Sequence, residues 1–117
     1  MKGSQFLKFV IPLVDVLKEN GGSGSTSEII DSVINKMKIS ESEVEETISS
    51  GDSRVRNRIQ WARLYLVKAG LMDSTKRGIW SLTEKGNNSI LDEDSVYQLF
   101  VKVRDSYTLE KKTKKRI

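Results

Sequence analysis

The segment Arg54 to Leu71 constrains the chain more than any other. Val55, Ile59, Ala62, Leu66 and Ala69 recur at spacings of 4, 3, 4 and 3, the period of one helix face. In a strand the same residues would scatter over both faces, so only a helix gathers them. The far side of that helix holds Arg56, Asn57, Gln60 and Leu64, flanked by Arg58 and Arg63. Gly70 stands where a left-handed C-cap is wanted. A fold for this chain must bury one side of this helix and leave its arginine-rich side in water.

Charge sharpens the point. Between Ser53 and Lys85 there are eight basic residues against Asp73 and Glu84, a local net of +6. Immediately before, Glu41, Glu43, Glu45, Glu46 and Asp52 form an acidic block. The modest total of +4 therefore hides a basic patch able to steer a polyanion. The chain has no histidine and no cysteine. That removes the commonest general base, the commonest metal ligands and any disulfide framework. It suits the cytoplasm, and no cofactor or metal is expected. No apolar run approaches the roughly 18 residues of a membrane span. Lys8, Pro12 and Asp15 interrupt the apolar stretch from Phe6 to Leu17, so no signal peptide is expected.

At 117 residues the chain is expected to form one domain with one core. A first helix is expected from about Gln5 to Asn20, with Phe6, Val10, Leu13, Val14 and Leu17 on one face. Pro12 either kinks it or sits in the first turn of a shorter helix. Ser25 to Glu28 has a capping-box pattern and opens a second helix carrying Ile29, Ile30, Val33, Ile34 and Met37. Residues 39–50 read as a short helix or turn held by Val44 and Ile48, and residues 49–53 as a loop and N-cap zone. After the basic helix, Leu71–Ser74 and Ile79–Leu82 read as strands joined by a tight turn at Thr75–Gly78. The order is mostly α with a small β-hairpin, the plan of a winged helix-turn-helix. Its first strand would have to come from residues 22–26, where the signal is poor.

Residues 1–91 would form that domain. Residues 92–107 read as an additional C-terminal helix: Asp92, Glu93 and Asp94 suit a helix start, and Val96, Leu99, Phe100 and Val103 make a stripe that Tyr107 extends. That stripe can pack on the domain or form a homodimer helix. Residues 108–117 read as a basic disordered tail or the start of a linker.

The pattern Asn57-Arg58-x-x-Trp61-Ala62-x-x-Tyr65-Leu66-x-x-Ala69-Gly70-Leu71 resembles the N-terminal domain of Mrr-type restriction endonucleases. The likeness extends to Ile11, Pro12 and Leu13, to Gly21 and Gly22, and to Ser50, Gly51 and Arg54. It continues through Arg77, Gly78, Ile79 and Trp80 and the run Leu82 to Gly86, covering roughly residues 5–91. The resemblance implies a winged-helix module that recognises double-stranded DNA ahead of a nuclease that cuts modified DNA. The 26 residues after Leu91 are too few for that nuclease, so catalysis is not expected of this chain itself.

On this reading Arg56, Asn57, Gln60 and Arg63 are candidates for base contacts, since arginine grips guanine bidentately and Asn or Gln does so with adenine. Arg54 is a further DNA-binding candidate, and Lys76 and Arg77 at the wing tip are phosphate candidates. The bland alternative is a solvated helix face and a turn made soluble by lysine. Trp61, Tyr65 and Trp80 lie off the main stripe. They either form a pocket for a flipped base or, as such residues more often do, a second small core against the wing or the C-terminal helix. Arg58 would then pack by its stem or meet an acid of the 41–46 block. Asn57 could brace the loop at Gly51 instead of reading DNA. A protein-interaction winged helix and a transcriptional regulator remain alternatives.

Overall fold

The computed structural model describes the backbone of residues 5–115 and side chains as far as Ser106. The chain starts with a 3-10 turn at Gln5–Phe9, and α1 follows at Val10–Glu19. Pro12 thus lies in the first helical turn, where its missing N–H would have had no helical partner. The single helix expected from Gln5 is divided here, and Pro12 costs nothing. Three residues per turn in the 3-10 segment bring Phe6 and Phe9 to the same side, and both are buried.

β1, Ser23–Ser25, comes next, then α2 at Thr26–Lys36, whose N-cap Ser25 accepts the Glu28 N–H at 3.4 Å. The acidic stretch gives α3, Glu41–Glu45, capped by Ser40. The basic helix is α4, Arg54–Lys68. β2 (Met72–Asp73) and β3 (Ile79–Leu82) form the hairpin, followed by α5 at Glu84–Asn88 and α6 at Glu93–Lys115. β3 is the centre of a three-stranded antiparallel sheet in the order β1-β3-β2, with Ser23 opposite Ser81 and Met72 opposite Leu82. The weakly signalled first strand therefore exists. Its Ser-Gly-Ser sequence has no strand propensity; tertiary packing makes it. A side chain at Gly24 would stand 2.6 Å from Ile29 Cδ1, so glycine lets β1 lie on α2 without pushing the Ile29 side chain aside.

The core is built where the stripe of α4 requires. Val55, Ile59, Ala62 and Leu66 are buried with Leu13 and Leu17 of α1, Ile29 and Val33 of α2, and Trp80 of β3. α4 ends as its sequence asks, with Gly70 at φ +81 in the left-handed region. The next link is made by Thr83, whose N–H donates to Leu71 O at 3.0 Å. Its hydroxyl donates to Gly70 O at 2.7 Å and accepts from Gly86 N–H at 3.1 Å. Gly86 is pressed so closely that a Cβ there would lie 2.0 Å from Leu71 O. The Leu82 to Gly86 run is thus a clasp joining the end of α4, the wing and α5.

α6 begins with a reciprocal cap, Ser95 N–H donating to Asp92 Oδ1 at 2.8 Å and Asp92 N–H to Ser95 Oγ at 2.9 Å. The Ser95 N–H first, and then the Ser95 hydroxyl, hold the Asp92 carboxyl below the usual aspartate range. Val96 and Val103 are buried and Leu99 and Phe100 pack on the core, so the α6 stripe lies against its own domain. The helix also runs on through Lys115, over residues expected to be a tail. Backbone hydrogen bonding carries it past the point where the apolar stripe ends. The Tyr107 side chain, Arg116 and Ile117 lie outside the described residues.

Candidate nucleic-acid interface

α4 starts from a braced turn. Ser53 Oγ donates to Val44 O at 2.6 Å and accepts the Arg56 N–H at 3.3 Å, while Arg54 N–H donates to Glu46 O at 2.9 Å. This turn fixes which way α4 faces. With Val55, Ile59, Ala62 and Leu66 inward, Asn57, Gln60, Trp61 and Leu64 come out on the opposite side. Together with Thr26, Arg63 and Trp80 they line an open cleft of about 430 Å³ between α4, the start of α2 and the wing strand.

The expected DNA-binding residues fall into three groups. Asn57, Gln60 and Arg63 are brought together in the cleft. Asn57 lines the cleft. Arg63 lays its guanidinium over the Trp80 ring, 5.7 Å from the centroid, and its buried Nε–H has no hydrogen-bond partner.

Arg54 and Arg56 form the second group, at the N-terminal end of α4, and both meet acids. Arg56 Nη2 stands 2.8 Å from Asp31 Oδ1 of α2, and Arg54 Nη1 is 3.5 Å from Glu46 Oε2. The acidic block thus does reach the basic helix, through Arg54 and not Arg58. Asp31 is a neighbour that periodicity could not reveal: it lies 25 residues from Arg56 and reads as an ordinary solvated position of α2.

Lys76 and Arg77 are the third group, in the exposed wing turn. Asp73 shapes that turn by accepting from Thr75 N–H at 2.9 Å and Thr75 Oγ1 at 3.0 Å. These bonds, the N–H first, and the Lys76 charge hold the Asp73 carboxyl below its usual range. Gly78 O in turn accepts from Thr26 N–H at 3.0 Å, tying the wing to the start of α2.

The aromatic residues separate. Tyr65 stacks on Phe100 of α6 at 5.5 Å and lies 4.7 Å from Phe6, forming the second small core against the C-terminal helix. Trp61 does not join it fully. Its ring centroid is 6.4 Å from Phe6, and the residue is 47% exposed. Trp80 is buried in the main core.

The family described as the Mrr N-terminal domain matches residues 6–91. This chain belongs to that family. The matched span covers the 3-10 turn through α5, with the whole of α4 and the wing inside it. The Mrr N-terminal domain chain is also 29% identical over 79 residues to the type IV methyl-directed restriction enzyme EcoKMrr of Escherichia coli (strain K12). That alignment takes in 68% of this chain but 26% of the relative, so the chain spans about a quarter of that protein's length. No solved structure matches the chain. Among the described residues no helix is long and apolar enough to cross a membrane, and no three Asp, Glu, His or Cys side chains converge to hold a metal ion.

Proposed function

We propose that this domain binds double-stranded DNA in the cytoplasm, as the recognition module of a restriction system directed at modified DNA. α4 lies in the major groove with Asn57, Gln60 and Arg63 toward base edges, and Arg54 and Arg56 toward the strands at its N-terminal end. Lys76 and Arg77 carry the wing along the phosphates. The role assigned to the domain is binding, not cleavage.

The observation that carries this reading is the division of α4. Its apolar row is spent on the core, while two amides and an arginine gather in an open cleft on the other side. Amide and guanidinium groups are the side chains that match the donor and acceptor patterns of the major groove. The relative is a methyl-directed restriction enzyme, which agrees with this reading.

A titration of labelled duplex with wild type and an Arg56→Ala/Gln60→Ala variant tests the assignment. Both positions lie on the outer side, so the variant should melt like wild type. It should bind duplex about tenfold or more weakly, since a good base contact such as that of Gln60 is worth about 1–3 kcal/mol and Arg56 adds a contact to the phosphates. Equal affinities would show that α4 is not the reading element.

A further inference from the structure

We propose that the edge of α4 turned toward the aromatic group holds single-stranded DNA, stacking an unpaired base on Trp61. Arg54, Arg58, Trp61 and Tyr65 stand at i, i+4, i+7 and i+11, one line about 17 Å long at 1.5 Å per residue. The line is basic at its start and aromatic at its end. Trp61 borders the outer row, but its ring is backed by the aromatic group. Phe6 lies 6.4 Å from it, 4.7 Å from Tyr65 and 6.0 Å from Phe100. Packing thus supports the indole and still leaves the residue 47% exposed. Arg58 is half-buried one turn earlier, and among the described residues no acid pairs with it. Arg104 of α6 lies over the Phe100 ring at 5.8 Å, with Asp105 3.6 Å from it, and brings a further guanidinium to the aromatic end.

A supported, exposed indole beside an arginine suits a ligand that alternates bare rings with negative charges. A duplex does not offer that, because each base face inside it is covered by the next pair. A single strand does: its bases stack on aromatic rings while basic side chains take its phosphates. The line lies within the +6 segment from Ser53 to Lys85, so its field favours a polyanion. Glu46, 3.5 Å from Arg54, opposes it at the first residue, where an arriving phosphate has to displace the acid. A protein partner fits less well, since the centre of a protein interface is a broad desolvated patch. The large apolar side chains exposed among the described residues are Trp61, Ile79 and Ile90, on three different segments. Beside Trp61 on its own edge stand Arg58 and the half-buried Tyr65. The assignment goes beyond the duplex reading and does not depend on it, because Asn57, Gln60 and Arg63 take no part.

The probe is an oligothymidine, which forms no duplex with itself. Of the two tryptophans Trp80 is buried, so quenching of the indole emission during the titration reports Trp61. Wild type should be quenched as it binds. The anisotropy of a labelled oligothymidine gives the affinities of the variants. Trp61→Ala should bind about tenfold more weakly, the loss expected for one stacked base, and Trp61→Phe should recover part of it. Arg58→Ala should lower the salt slope by about 0.7, the share of one phosphate on a single strand. Gln60→Ala, on the outer side, should weaken duplex binding and leave oligothymidine binding as in wild type. Melting curves confirm that each variant is folded. No oligothymidine binding at concentrations where duplex is bound would overturn this assignment and leave the duplex reading intact. Wild-type affinity in both Trp61→Ala and Arg58→Ala would also overturn it. Binding of oligothymidine but not of duplex would sink the duplex reading and support this one. Sedimentation of the protein alone completes the test: self-association that Trp61→Ala abolishes would show a second copy covering the edge, and would overturn the assignment.

Discussion

The Asp31–Arg56 pair makes the DNA reading quantitatively testable. If Arg56 swings its guanidinium from Asp31 onto DNA, the 2.8 Å bond between them opens on binding. The two side chains are 40% and 62% exposed, so solvent screens the pair and its value is that of a surface salt bridge, about 0.2–1 kcal/mol. Asp31→Asn keeps the side-chain shape and removes the charge. The opening cost then disappears from the binding equilibrium, and duplex affinity should rise about 1.4- to 5-fold, at roughly 1.4 kcal/mol per tenfold. Fluorescence anisotropy with a labelled duplex reads this directly. The decisive step is a double-mutant cycle. In an Arg56→Ala background, Asp31→Asn should bring only the small gain from losing one negative charge near DNA. A gain of full size in that background would mean that Arg56 does not leave Asp31 to meet DNA. Unchanged or weaker binding by Asp31→Asn alone would refute the reasoning at its first step.

Other expectations are narrower. Gly86→Ala sets a methyl 2.0 Å from Leu71 O and should cost about 1–3 kcal/mol, read as a lower urea midpoint at unchanged slope. Lys76→Ala should lower the salt dependence of duplex binding by about one unit in a log–log plot while the unfolding midpoint stays put. The Asp73 carboxyl, held down by Thr75, should keep the wing turn intact at all pH values above the ordinary aspartate value of 3.8. Because its folded pKa is depressed, that contribution is complete above 3.8 and is lost as pH falls through the lower folded value. The Thr75 amide resonance should therefore move only below pH 3.8, and a midpoint at or above it would count against the bond.

Much of the fold could be read in advance because local and tertiary signals agree. The stripe of α4, the Ser25 cap, the Gly70 stop and the Ile79–Leu82 strand are each written in a few neighbouring residues, and each is found in place. β1 was expected only from the plan of the fold, because its strand character comes from Gly24 meeting α2 and not from Ser23 or Ser25. The division of the first helix turns on one residue, Pro12, whose two permitted settings look alike in sequence. At the candidate interface the residue types were legible and their partners were not. Asp31 and Arg56 meet because α2 and α4 pack together, a fact with no local trace. Trp61 and Tyr65, four residues apart on one helix edge, look equivalent on a wheel. They part company because Phe100 reaches the second and not the first.

The back-to-back use of α4 bears on how such a helix can change over generations. Val55, Ile59, Ala62 and Leu66 hold the core, so substitutions there are filtered by folding. Asn57, Gln60, Trp61 and Leu64 share no side with them, and replacements at such surface sites usually alter stability by no more than about 0.5 kcal/mol. That outer row is free to drift toward new targets without rebuilding the domain beneath it. Arg63 is the exception, since it is seated on Trp80 and any exchange there disturbs the wing as well. Variety among related chains should therefore gather at positions 57, 60, 61 and 64, with 63 lagging behind.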